Sequence, residues 1–224
     1  MNGQKLTDLK SELFTNGFTS FNVKDLSVEL YNELELAIPP NSLNPNQFNN
    51  LQMSIINPKG LDTPLYPNTI SDTSFEELSN IKNDVLDKYN FKNGYSLDQI
   101  WFYKSVLSRQ ILDFRHKLYM LFYENSNGNC GTNITLYNDG CFLKNHQDNN
   151  LSYRDCAMLV YLSTDWDVTK GGELIIDNTS IVPPIYGNVA ILDFTKFNAY
   201  HSVNPVKGFN RYCLLSFCSP SMVK

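Results

Sequence analysis

The stretch after Gly128 constrains the fold more than any other part of the chain. Short apolar segments rich in β-branched and aromatic residues recur at 133–137, 157–162, 173–176, 188–194 and 211–217. Turn formers separate them: Asn138-Asp139-Gly140, Lys170-Gly171-Gly172, Pro183-Pro184, Tyr186-Gly187-Asn188 and Val206-Lys207-Gly208-Phe209-Asn210. Regular short strands with this punctuation predict a β-sandwich or barrel of the jelly-roll kind.

The first 125 residues read differently. Leu6, Leu9, Leu13 and Phe14 hold helical spacing up to the Asn16-Gly17 break, and the alternation of Phe18, Ser20 and Asn22 then predicts a short strand. Ser74-x-x-Glu77 has the form of a capping box and starts a helix with Leu78, Ile81, Val85 and Leu86 on one face. Leu107, Ile111, Phe114, Leu118 and Leu121 predict another helix from about 105 to 122, with a strand-like 99–103 before it. Between Pro39 and Asn68 lie six of the ten prolines and no sustained periodicity, which predicts a long loop or lid. The expected fold is a single domain: a double-stranded β-helix, or jelly roll, over 126–224, with the helices and lid of 1–125 packed on its outer sheet.

Composition narrows the partners. A formal net charge of -5 removes the basic footprint that binding to a phosphate backbone requires, so nucleic acid is disfavoured. No uncharged apolar run is long enough to span a bilayer, and charges interrupt the N-terminus where a signal peptide would be apolar; the expectation is a soluble, cytoplasmic protein without a membrane partner. The five cysteines are odd in number and contain no C-x-x-C, which predicts reduced, mostly buried thiols in place of a disulfide framework or a zinc ribbon.

The chain has only three histidines. His146 and Asp148 are separated by one residue, so an extended strand would place both side chains on one face. His201 follows much later, just after a predicted strand. Two imidazoles and a carboxylate are the facial triad that holds ferrous iron and leaves positions open for oxygen and a bidentate cosubstrate. Arg211 falls in the strand-like Arg-Tyr-Cys-Leu-Leu-Ser-Phe, whose alternate residues face the interior. A buried guanidinium requires a carboxylate, which either a protein Asp or Glu or a dicarboxylate cosubstrate would supply. His116 lies off the apolar stripe of its helix and is expected to face solvent.

The ordered set Tyr137-x8-His146-x-Asp148, Arg154, Tyr161-Leu162-x-x-Asp165-Trp166-Asp167, Gly171-Gly172-Glu-Leu174, Pro184, Gly187, His201-x-Val203-x-Pro205-Val206 and Gly208-x-x-Arg211-Tyr212 resembles the prolyl 4-hydroxylase branch of the 2-oxoglutarate and iron(II)-dependent dioxygenases. The resemblance covers roughly 130–218. It implies iron ligation by His146, Asp148 and His201, with Arg211 on the distal carboxylate of 2-oxoglutarate and Tyr161 adding a hydroxyl hydrogen bond there. Tyr137 would line the same pocket, and Arg154 would stand near the substrate entrance. Trp166 and the Gly171-Gly172 turn read as structural. The implied cofactors are Fe(II), 2-oxoglutarate and O2, with ascorbate as a reductant. Arg211 stands where collagen-type animal enzymes have lysine.

The reaction so implied is hydroxylation of a C–H bond, with a prolyl residue of a peptide or protein as the favoured substrate. One alternative is a 2-oxoglutarate hydroxylase of a free amino acid or other small molecule. From another class, the chain could be a non-catalytic jelly roll that binds a peptide or acts as a sensor. The intact set of three ligands plus arginine speaks against that class, because a pure binding module needs none of them.

Overall fold

The structure, a computed structural model, describes residues 1–56, 65–89, 96–123, 129–148, 156–195 and 199–219. In chain order its elements are α1 (Gly3–Asn16), β1 (Phe18–Asn22), α2 (Val23–Leu26), α3 (Val28–Ala37), β2 (Asn50–Ile56), β3 (Leu65–Ser71), α4 (Phe75–Tyr89), β4 (Ser96–Lys104), α5 (Arg109–Phe122), β5 (Asn129–Tyr137), β6 (Phe142–His146), β7 (Cys156–Tyr161), β8 (Leu174–Ile176), β9 (Ser180–Val182), β10 (Asn188–Asp193), β11 (His201–Val203) and β12 (Arg211–Ser219). The strands run β1-β10-β7-β12-β5-β4-β6-β11-β8-β9, and β2 adds to β4 and β3 to β2. This nearly closed antiparallel sheet is the expected jelly roll, with helices against one face. The first 125 residues contribute more to it than a helical cover, because four of its strands, β1 to β4, come from that part.

Local chemistry explains the helix ends. Asn2 accepts from the Lys5 amide at the start of α1, and Gly17, with φ of 81°, closes its end by bonding Leu13 O. Ser74 Oγ accepts from Glu77 N at 3.2 Å, as the capping pattern predicts. Helix α5 begins at Arg109 and not at 105, because the Ser108 side chain takes the Ile111 amide and stops the helix from extending backwards. Helix α3 was not foreseen; Ser27 caps it, and only Leu30 and Leu34 are buried along its ten residues, too short a stripe to read from spacing. On α5 the buried Ile111, Phe114, Leu118, Tyr119 and Phe122 form the face packed on the sheet, where Phe122 stacks on Phe21 of β1 at 5.6 Å. Each such apolar side chain is worth about 1.5–3 kcal/mol of burial, which fastens the layer to the sheet.

Two expectations are corrected here. Over its described residues, the lid predicted for Pro39–Asn68 is a 3-10 turn at Pro45–Gln47 followed by the β2–β3 hairpin, and β2 pairs with β4 as Leu51↔Phe102 and Gln52↔Trp101. Phe48, Leu51 and Met53 are buried; the asparagines and prolines around them hid a short period-two pattern. Residues 57–64 of that stretch lie outside the described residues. The second correction concerns the thiols. Cys130 and Cys218 are direct partners on β5 and β12, with Cα atoms 4.1 Å apart, and form a disulfide; Cys141, Cys156 and Cys213 are buried and outside any disulfide. An odd count leaves one cysteine over but does not forbid a pair, and strand register, which the sequence does not display, brought this pair together.

Lys82 is the buried charge of the helical layer. Its ammonium donates to Asn138 Oδ1 at 3.2 Å and to Asp139 O at 2.7 Å, which ties α4 to the turn between β5 and β6. No helix among the described residues is long and apolar enough to cross a membrane. His116 is exposed, as expected.

Candidate active site

Strands β6 and β11 bring the two distant histidines together. His201 is the direct antiparallel partner of His146, and a register shift separates this pair from Val203↔Leu143. The rings lie 4.3 Å apart between centroids. β6 ends at His146, so Asp148 sits in the bend that follows and not on the strand. It still faces the histidines: Asp148 Oδ1 is 3.2 Å from His146 Nε2, and Oδ2 is 3.4 Å from His201 Nε2.

The donor set fits a metal ion. Each imidazole turns Nδ1 to a backbone carbonyl, His146 to Lys144 O at 3.0 Å and His201 to Ala199 O at 3.3 Å. A carbonyl only accepts, so Nδ1 of each ring donates outward and Nε2 is the atom turned to the centre, where it contacts Asp148 and would offer its lone pair to a metal ion. The ligand atoms of His146, Asp148 and His201 all lie within 4.8 Å of one another, and the three residues could hold an iron ion. Burial alone would raise the Asp148 pKa, but hydrogen bonds from His146 and His201 outweigh it and hold the carboxyl well below the usual carboxylate range. Burial alone would lower the His146 pKa; hydrogen bonding to Asp148 and its charge raise it instead.

Arg211 begins β12 opposite Tyr137, the last residue of β5. It is 1% exposed, and among the described residues no carboxylate lies within ion-pair distance of it. Its Nε donates to Gly172 O at 2.7 Å and its Nη2 to the Tyr161 hydroxyl at 3.5 Å, while the ring faces of Tyr137 and Tyr161 stand 4.8 Å and 5.0 Å from its central carbon. Cation–π contacts and one carbonyl orient the guanidinium but do not neutralise it, and an unpaired buried charge costs several kcal/mol. Burial pushes the hydroxyls of Tyr137 and Tyr161 far above their ordinary range despite the nearby Arg211 charge, so both remain protonated donors. A cavity of about 90 Å³ is lined by the three ligand residues together with Tyr137 and Arg211. Tyr161 meets it only through the arginine. Arg154 lies outside the described residues.

The Gly171-Gly172 turn supports this end of the cavity. Trp166 Nε1 donates to Gly171 O at 2.8 Å, and both glycines have positive φ, 65° and 77°. A Cβ on Gly171 would overlap the Pro205 carbonyl oxygen, and one on Gly172 would press on Arg211 Cδ at 3.2 Å. Gly171→Ala is therefore expected to destabilise the fold by about 2 kcal/mol or more, from backbone strain and a backbone clash. Urea unfolding followed by circular dichroism checks this; a midpoint equal to that of the parent would contradict it.

β4 also reaches the cavity, with Gln99 and Trp101. Trp101 stacks on Tyr137 at 6.0 Å with the planes 7° apart. The sequence identified this strand but not its neighbours, and only the alternation of Gln99, Trp101 and Tyr103 hinted at a shared face.

Two histidines on paired strands, an aspartate in the bend after one of them and a buried arginine on a third strand combine the facial-triad donor set of non-haem Fe(II) oxygenases with a carboxylate receptor. Residues 132–219 match the family model described as the 2OG-Fe(II) oxygenase superfamily. This match over the C-terminal part of the chain, together with the His146-Asp148-His201 donor set, supports a dioxygenase enzyme whose cofactors are Fe(II), 2-oxoglutarate and O2. No curated protein matches it. Among solved structures it is similar to a prolyl hydroxylase from Trichoplax adhaerens in complex with a hypoxia inducible factor oxygen degradation domain peptide fragment. Identity is 14%, covering 97% of this chain and 90% of that one, with a TM-score of 0.54. It is also similar to a Pseudomonas putida prolyl-4-hydroxylase, at 16% identity over 96% of this chain and 98% of that one, with a TM-score of 0.48.

Proposed function

We propose that the protein hydroxylates a prolyl residue of a peptide or protein, with His146, Asp148 and His201 holding the iron and Arg211 holding 2-oxoglutarate. The observation that carries the cosubstrate assignment is the buried Arg211 guanidinium, without a protein carboxylate among the described residues, in the same cavity as the three ligands. When bound, iron with 2-oxoglutarate and O2 supplies oxidation of a C–H bond coupled to formation of succinate and CO2. The protein residues bind and orient. Arg211 pairs with the distal carboxylate through the free edge of its fork, because Nε is already engaged by Gly172 O. Tyr161 accepts from Arg211 Nη2 and so helps to fix the guanidinium that faces the carboxylate. Tyr137 walls the cavity and holds the guanidinium plane in place. Leu159, Leu174 and Val203 line it with apolar surface that limits water.

The preference for peptidyl proline is supported by the ordered motif around His146, His201 and Arg211 and by the fold shared with the Trichoplax enzyme, whose structure holds a peptide fragment. Incubation with Fe(II), 2-oxoglutarate, ascorbate and a peptide library, followed by mass spectrometry, tests it. The expected product gains one oxygen atom on proline. Oxygen transfer to free amino acids alone would favour the small-molecule alternative.

A further inference from the structure

We infer that Gln99 is a second cosubstrate-binding residue, donating a hydrogen bond from Nε2 to the carboxylate at the metal end of 2-oxoglutarate. This rests on the assignment of Arg211 to the distal carboxylate. Gln99 lies on β4, outside the region that matches the superfamily, and neither the motif nor the triad points to it.

The direction of the amide follows from its partner. Gln99 Oε1 accepts from Trp101 Nε1 at 3.0 Å, and an indole N–H can only donate, so the oxygen is turned to Trp101 and the NH2 group to the other side. Trp101 is itself fixed by its parallel stack on Tyr137, whose ring in turn lies against Arg211. Among the described residues Gln99 Nε2 has no acceptor, although the residue is half-buried and lines the cavity of the triad. A local irregularity aims the side chain: Ser54 pairs with Gln99 and Ile55 with Leu97, so Asp98 is an extra residue in β4, and bulges of this kind re-aim side chains beside active sites.

The ladder register places the amide along the cavity. One row across the inner face holds Trp101, Tyr137 and Arg211, from the stack of the first two and the pairing of the last two. The next holds Gln99, Leu143 and Val203, which are direct partners on β4, β6 and β11. Beyond it, His146 and His201 form the row of the metal ligands. Two residues along a strand span about 7 Å, so Gln99 stands one pleat beyond the row that holds Trp101, Tyr137 and Arg211, on the side of the imidazoles. A five-carbon dicarboxylate anchored by Arg211 runs past it towards the metal end. Its carboxylate there has two acceptor oxygens and no donor, the complement of an amide NH2.

The test is 2-oxoglutarate binding to the Fe(II)-loaded full chain without oxygen, for the parent protein, Gln99→Leu, Gln99→Glu and Arg211→Ala. Calorimetry gives affinity, and the visible charge-transfer absorption of the bound complex reports the environment of the chelating end. Gln99→Leu is expected to weaken 2-oxoglutarate about tenfold, as loss of a hydrogen bond to a charged group does, and to shift the absorption maximum. Its Fe(II) affinity before cosubstrate addition should be unchanged, which separates the effect from loss of fold. Gln99→Glu still accepts from Trp101 but opposes a carboxylate, so it should weaken binding further. Parental affinity and absorption in both Gln99 variants, with binding lost in Arg211→Ala, would overturn the inference and leave the proposed function standing; a raised peptide KM in those variants would then make Gln99 a substrate contact. Unchanged binding in Arg211→Ala would overturn the Arg211 assignment as well.

Discussion

His146→Ala and His201→Ala should each lower Fe(II) or Mn(II) affinity by more than about 100-fold while the protein stays folded; loss of a group that merely supports a ligand already costs about 10- to 100-fold. Each histidine gives the centre one Nε2 from a ring held by its Nδ1 contact to a carbonyl, and no fourth His, Cys, Asp or Glu joins the cluster among the described residues. The side chains take little part in the core beyond their own strand pair, so circular dichroism spectra should match the parent. Asp148→Ala should behave likewise, because its carboxylate lies 3.2 Å and 3.4 Å from the two Nε2 atoms and is the anionic ligand of the set. Metal titration on the parent should reach one ion per chain. Full binding in both histidine variants would remove the triad from the account.

Arg211→Ala should raise the 2-oxoglutarate requirement by about 10- to 100-fold, the equivalent of the roughly 1.5–3 kcal/mol in a hydrogen-bonded contact to a charged group. Metal binding should be retained, since the triad is carried by β6, β11 and the bend after β6. The substitution removes a charge that nothing in the described protein neutralises, so the fold loses the Gly172 O contact and some packing but is not left with an orphaned carboxylate. Arg211→Lys should recover part of the affinity as a point charge, without the fork that can hold a carboxylate while Nε stays on Gly172 O. Titration of 2-oxoglutarate against succinate release, in parallel with thermal melting, checks all three proteins. An unchanged requirement in Arg211→Ala would make the residue structural.

The most legible features in the sequence were those whose chemistry is local or rare. With three histidines in the chain, a His-x-Asp pair and one later histidine left few ways to build a metal site, and Arg211 stood out as the one charge in an otherwise uncharged strand-like segment. Short apolar segments and the turn formers between them likewise revealed the jelly roll: β7 is buried along its whole length and β10 along nearly all of it, and β10 opens at the Tyr186-Gly187-Asn188 turn. Features set by register were not legible. Cys130 and Cys218 are 88 positions apart and meet only because β5 and β12 pair in one particular frame. Gln99 and Trp101 sat in a recognised strand, but which cavity that strand lines depends on its pairing with both β5 and β6. The hairpin of β2 and β3 was read as a lid because prolines and asparagines outnumber its buried Leu51 and Met53.

Conversion of 2-oxoglutarate to succinate tests the central claim most directly. With Fe(II) and air, the parent protein should form succinate, slowly without a peptide and faster with a proline-containing substrate, and His146→Ala and Arg211→Ala should form little at the same cosubstrate concentration. Equal succinate formation by the parent and by His146→Ala, or none by an iron-loaded and folded parent with any peptide or amino acid supplied, would contradict the assignment of this cavity as a 2-oxoglutarate and iron centre.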